Sequence, residues 1–191
     1  ADGIAAHGGL EVCGALQAQA RPHCVSADPA EVIPGSGMVV LVLPAFAHEV
    51  ILGQIAPYLD DGVWVGAIPA RGGFDYCAAR ALSSLGPRDV RLFGLQTLPW
   101  ACRIQEYGQV VHVLGVKETV DAASRPAAAI VGLAPHLEAM LGLPVEPAAS
   151  LLALTLANTG QLIHPGIMYG LFARWDGTPF DAGAVALFYH G

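Results

Sequence analysis

Three apolar runs in this chain each end at a proline: MVVLVL (38–43) before Pro44, VWVGAI (63–68) before Pro69, and VRLFGLQTL (90–98) before Pro99. Such runs are apolar on both faces of an extended strand, which suits a parallel sheet covered by helices on each side. Between them, residues 48–59 read as a helix stopped by the Asp60-Asp61-Gly62 turn, and residues 74–85 as a helix stopped by Gly86. Strand, helix and strand at this spacing give right-handed crossovers. The three loops PAFAH, PARGG and PWACR then emerge together at the carboxyl edge of one sheet. Open α/β sheets bind their ligands at that edge.

Further elements extend the scheme. VVHVLGV (110–116) reads as another strand, and 124–141 as a helix with Ser124 as N-cap and Pro126 in its first turn. LEVCGAL (10–16) reads as an earlier strand and 28–33 as a short helix. The composition changes after LGLPVEPA, where Pro144 and Pro147 break regular structure. A long apolar helical stretch is predicted from about Ala148, carrying Asn158, Gln161 and His164. A domain boundary is therefore expected within 142–150, dividing the chain into 1–147 and a second, incomplete domain at 148–191.

Composition narrows the partners. With 54% hydrophobic and 13% charged residues, the chain has the means to bury a sizeable core. A net charge of -7 lacks the basic footprint that nucleic acid or an anionic membrane surface requires, so small-molecule ligands are expected. The most apolar stretch, 38–47, is about half the span of a bilayer and already contains Pro44. Cys13, Cys24, Cys77 and Cys102 are widely spaced, with no C-x-x-C pair and no histidine at zinc-ligand spacing. They read as reduced thiols of a cytoplasmic protein that holds no metal.

A dinucleotide-binding sheet should open with a strand followed by G-x-G-x-x-G, whose bare backbone admits a pyrophosphate. Gly8-Gly9 and Gly35-Ser36-Gly37 lack that spacing. Either no dinucleotide binds, or the first strand-helix-strand unit lies upstream of Ala1. The chain starts without Met and stops at LFYHG, so truncation at both ends is expected.

His164 is the leading candidate for chemistry. It precedes Pro165, which biases it away from helical geometry and toward a helix end or kink. A histidine there is suited to exchange a proton near neutral pH, or it simply caps a free carbonyl. Gln161 shares its helix face and Asn158 does not; both are suited to bond a substrate carboxylate or to make an interdomain contact. Arg71, in the PARGG loop, offers a planar fork for a carboxylate. Arg103 and Lys117 read as surface salt-bridge partners. Gln96 and Thr97, ending the third strand, either meet a ligand or satisfy the turn. His48 opens the helix after PAFA and suits a neutral hydrogen-bonding role.

Taken together, LVLPAFAHE, GAIPARGGFDY, FGLQTLPWACRI with VLGVK, and LANTGQLIHPGIMYG closely resemble the octopine/nopaline (opine) dehydrogenase family, in order and spacing, from about residue 38 to 175. The resemblance implies a Rossmann-type, mostly parallel sheet followed by the start of an all-helical C-terminal domain. It implies NAD (or NADP) as cofactor, with a 2-oxo acid such as pyruvate and an amino acid as substrates. His164 matches the family's catalytic histidine, whose aspartate partner is expected beyond Gly191; Asp176 and Asp181 are not taken as substitutes. Arg71, Gln96, Thr97, Asn158 and Gln161 become candidates for the substrate, and Pro44, Ala45, His48, Pro69 and Gly72 for the cofactor. Two other readings stay open: a two-domain 2-hydroxyacid or ketopantoate-type reductase, and an inactive partial chain.

Overall fold

The computed structural model describes residues 2–70, 72–83, 89–157 and 160–179. They form a mixed α/β fold in which contacts divide the chain into two compact units, Ala1–Thr155 and Leu156–Gly191.

The first unit is built around a five-stranded sheet in the order β3 (Met38–Leu41), β4 (Trp64–Ala67), β5 (Arg91–Leu95), β8 (Val120–Arg125) and β9 (Val145–Pro147). The three proline-ended runs are β3, β4 and β5, mutually parallel, with Val39 paired to Val65 and Val65 to Leu92. The intervening helices are α3 (His48–Ile55) and α4 (Phe74–Leu82); the stop expected at Gly86 lies outside the described residues. Both faces are covered, as continuous apolar strands require. Leu92 belongs to the core under α3 and α4, with Leu52, Val65 and Phe74. Its neighbour Phe93 belongs to the opposite core, with Leu133 and Leu137 of α5 (Ile130–Leu141). Neighbours along a pleated strand point to opposite faces, so one strand feeds both cores.

Two expectations fail here. The sheet does not continue in parallel: β8 pairs antiparallel to β5, Phe93 opposite Ser124, and β9 then pairs parallel to β8. Ser124 is consequently a buried strand residue and not an N-cap; its hydroxyl donates to the carbonyl of Pro126 at 2.8 Å. The helix begins only at Ile130, after a 3-10 turn at Ala127–Ala129. The alanines of β8 mimic a helix in sequence but fit the crowded centre of the sheet, where Ala122 and Ala123 are fully buried. Tertiary packing overrides propensity there.

The other correction concerns 110–116. This strand, β7 (Val110–Val116), lies in a second sheet ordered β2 (Ala18–Ala20), β1 (Leu10–Gly14), β7 and β6 (Trp100–Glu106). It pairs parallel to β1 and antiparallel to β6. The β6–β7 turn places Gly108 at φ +73°, a left-handed backbone that glycine adopts without penalty. The short helices α1 (Asp2–His7) and α2 (Pro29–Val32) flank these strands, the latter capped by Asp28 Oδ1, which accepts from the Ala30 N–H at 2.9 Å.

In place of one helix from Ala148, the chain forms α6 (Leu151–Leu156) and α7 (Gly160–Phe172). α7 is the helix of the second unit. His164 lies inside it and not at its end: the helix runs on through Pro165, which lacks the N–H that would bond to the Gln161 carbonyl. Past α7, Trp175 packs edge-to-face on Phe172 at 5.7 Å. No helix among the described residues is long and apolar enough to cross a membrane.

Candidate active site

Three loops leave the carboxyl ends of β3, β4 and β5. In the first, Pro44 leads into a 3-10 turn at Ala45–Ala47 and then α3. His48 is 2% exposed; its Nε2 lies 3.1 Å from the carbonyl of Leu43, and its ring meets Phe74 edge-to-face at 5.4 Å. This ring ties the loop after β3 to the first turn of α4.

The second loop is held from both sides. Ile68 N–H donates to Leu41 O at 2.9 Å, and Ala70 N–H to Leu95 O at 2.8 Å. Gly72 and Gly73 then take left-handed conformations, φ +64° and +77°, and Gly73 starts α4. At Gly72 a β-carbon would meet nothing within 4 Å, so the bare backbone borders open space. In the third loop, Gln96 N–H donates to Asp121 O at 2.9 Å, and Lys117 N–H returns to Pro99 O at 3.0 Å.

A cleft of about 690 Å³ opens where these loops meet the β6–β7 hairpin. Val42, Ile68 and Thr97 come from the three loops, and the hairpin contributes Ala101 to Arg103 and Gly115 to Lys117. Regular alternation would turn every second hairpin residue away. The register shifts between Ala101, opposite Gly115, and Cys102, opposite Val113. That bulge leaves Leu114 as the extra residue and re-aims the strand. Among the described residues the cleft's cationic side chains are Arg103 and Lys117, and none of its lining residues is a carboxylate.

Of the residues singled out from sequence, Thr97 lines the cleft, and Gln96 is its half-buried neighbour. Pro44, Ala45, Pro69 and Gly72 sit on loops at the same sheet edge, and His48 opens α3 directly after the first of them. Gln161 and His164 belong to α7 of the second unit, one helical turn apart, with His164 exposed. Arg71 and Asn158, like Asp181, lie outside the described residues. Arg103 and Lys117 correct the sequence reading: among the described residues the ion pair is Arg80 with Glu49, at 2.5 Å, and neither cation of the cleft is in one. Trp100 was not singled out at all. It opens β6 against the cleft, and its indole N–H is buried without an acceptor. A tryptophan directly after the proline that ends a strand was the available signal.

Asp176 is engaged locally. Its Oδ1 accepts from the Thr178 N–H at 3.0 Å and from the Thr178 hydroxyl at 2.8 Å, and these bonds hold the carboxyl below its ordinary value of 3.8. No group of three His, Cys, Asp or Glu side chains among the described residues is arranged to hold a metal ion.

No family model matches the chain. Individual relatives do. Octopine dehydrogenase of Mizuhopecten yessoensis is 34% identical over 177 residues, 92% of this chain and 44% of that protein. The chain is a homologue of the opine dehydrogenases. Tauropine dehydrogenase of Arabella iricolor is 33% identical over 175 residues, 90% of this chain and 43% of that protein. Octopine dehydrogenase solved with NADH and L-arginine, and again with NADH and pyruvate, superposes with TM-scores of 0.79 and 0.78, at 31% and 30% identity. These matches cover 93% and 94% of this chain and 46% and 49% of the solved one. The chain thus spans about half the length of the opine dehydrogenases it matches.

Proposed function

We propose that the protein carrying this chain is an opine dehydrogenase, which condenses pyruvate or another 2-oxo acid with an amino acid and reduces the product with NAD(P)H. The observation that carries this reading is the homology to octopine and tauropine dehydrogenases across about nine-tenths of the chain. In this reading residues 1–147 belong to a Rossmann-type NAD(P)-binding domain, and 148–191 begin a helical substrate domain. α7 supports the second assignment. Leu162, Ile163, Met168 and Tyr169 leave it exposed and apolar around much of its circumference, and such a helix belongs inside a bundle.

The loops after β3 and β4 suit the nicotinamide end of the cofactor. Open backbone at Gly72 leaves the approach clear, and Pro44, Ala45 and Pro69 would hold the ring, with His48 fixing the first loop from beneath. The glycine-rich turn that would grip the pyrophosphate is not among residues 1–191. When bound, the cofactor supplies a hydride. The chain's own residues manage binding and protons. Gln96, Thr97 and Arg71 orient the oxo acid, and Asn158 and Gln161 bond the amino acid. His164 gives a proton to the keto oxygen as the amine adds and water leaves.

The test is NADH oxidation by the protein as encoded, with pyruvate plus each of a panel of amino acids. Amine-dependent oxidation is expected. Turnover of the oxo acid that ignores the amine would point instead to a ketopantoate-type reductase, and no turnover with any pair would end the proposal.

A further inference from the structure

We infer that Arg103 and Lys117 form a carboxylate-recognition site at the hairpin wall of the cleft, selecting a small organic acid whose apolar part rests on Val42 and Ile68. Arg103 of β6 and Lys117, the residue after β7, line one cavity, and Lys117 is opposite Pro99, an even number of residues before Arg103 along the same strand direction, so the pleat turns both to one side. Among the described residues neither is neutralised by an ion pair and no acidic side chain lines the cavity. Arg103 uses one donor on its neighbour, Nη1 to Cys102 O at 2.8 Å, which steadies the side chain and leaves the rest of the guanidinium fork available. Lys117 is anchored through its backbone to Pro99, so its ammonium arm starts from a fixed point.

Two further features bear on the site. Trp100 lines the same wall, and its indole N–H is buried without an acceptor, so its resonance reports on changes in that wall. The volume, about 690 Å³, falls in the range of small-molecule sites, and the cleft is open to solvent on one side. Two cations and an apolar floor with no acid discriminate by charge: a carboxylate gains charge-assisted bonds, and its uncharged ester loses them.

The inference deepens the opine dehydrogenase reading but is tested by binding alone. The protein as encoded, labelled with nitrogen-15, is titrated with pyruvate while the indole N–H resonance of Trp100 is followed. A saturable shift is expected, with methyl pyruvate at least about tenfold weaker. Arg103→Gln and Lys117→Gln should each weaken pyruvate by about tenfold, the loss of one charge-assisted bond. Arg103→Lys should lose less, and Arg80→Gln should bind as the wild type does. A shift that does not saturate, equal affinity for the acid and its ester, or glutamine variants that bind as the wild type does would each overturn the site. Carboxylate binding without amine-dependent NADH oxidation would leave the site standing and defeat the dehydrogenase reading.

Discussion

The β-carbon of Ala70 fills the space in which a side chain at Gly94 would begin, 2.1 Å from the position a β-carbon there would take. The loop after β4 is thereby pressed onto β5, and the Ala70 N–H, bonded to Leu95 O at 2.8 Å, keeps it there. A methyl group at Gly94 would also stand 3.0 Å from Leu151 Cδ2. Because Ala70 is fixed through its backbone, Gly94→Ala should cost about 1–3 kcal/mol, as overpacking does. Urea denaturation measures it, and an unchanged midpoint would contradict this account of the loop.

Phe93 bridges the centre of the sheet. It is fully buried, meets Trp64 edge-to-face at 6.3 Å, and covers Gly66, where a β-carbon would lie 2.2 Å from its ring. Truncation by Phe93→Ala should destabilise the first unit by about 3–5 kcal/mol. Gly66→Ala should also destabilise it, since the ring has nowhere to retreat. Thermal unfolding followed by circular dichroism distinguishes both from wild type.

His48 acts through the loop it holds. His48→Ala should cost about 1–3 kcal/mol, because the carbonyl of Leu43 loses its partner while remaining in a confined site. His48→Asn, which keeps a donor, should recover part of that stability. Comparing the two variants by chemical denaturation, with NADH affinity measured alongside, separates loss of the bond from loss of the ring against Phe74.

Asp176 offers a pH test. Its carboxyl is held below the ordinary value, first by the backbone N–H of Thr178 and then by its hydroxyl. A lowered folded value means that the turn's contribution is complete above the ordinary value of 3.8 and is lost as pH falls through the lowered one. Thr178→Val removes the hydroxyl and keeps the N–H, so the titration of Asp176 followed by carbon-13 NMR should move part of the way back up. No movement would mean that the hydroxyl bond contributes nothing.

For the catalytic proposal, His164→Asn in the protein as encoded should lower kcat by about 10²–10⁴, the range of general acid–base catalysis, with little effect on NADH binding. A variant that turns over normally would remove His164 from the chemistry.

Legibility followed the physics of each segment. β3, β4 and β5 declared themselves because strands buried on both faces admit only apolar residues, and the loops behind them followed from handedness. β8 stayed hidden because VDAASR satisfies a crowded sheet centre with small residues that also make good helices. The hairpin was half legible: 110–116 read as a strand, but its partner, WACRIQE, alternates too weakly to stand out. The cationic wall was illegible for a different reason. Whether Arg103 faces solvent or a cleft depends on which loops the hairpin packs beside, which sequence periodicity does not record. His164 was singled out by its residue type beside Pro165, which placed it at a helix end, and its expected role came from the resemblance of the surrounding motif.

The cleft draws its floor from one sheet and its wall from another. Its floor residues, Val42, Ile68 and Thr97, continue directly from the strands that hold both cores together, and Ile68 itself belongs to one of those cores. The wall hangs on a hairpin whose outer residues are mostly exposed and whose attachment runs through main-chain bonds that any side chain leaves intact. A change of shape in the wall therefore has an inexpensive route: substitutions along β6 and β7 remodel it while the load borne by β3, β4 and β5 stays the same.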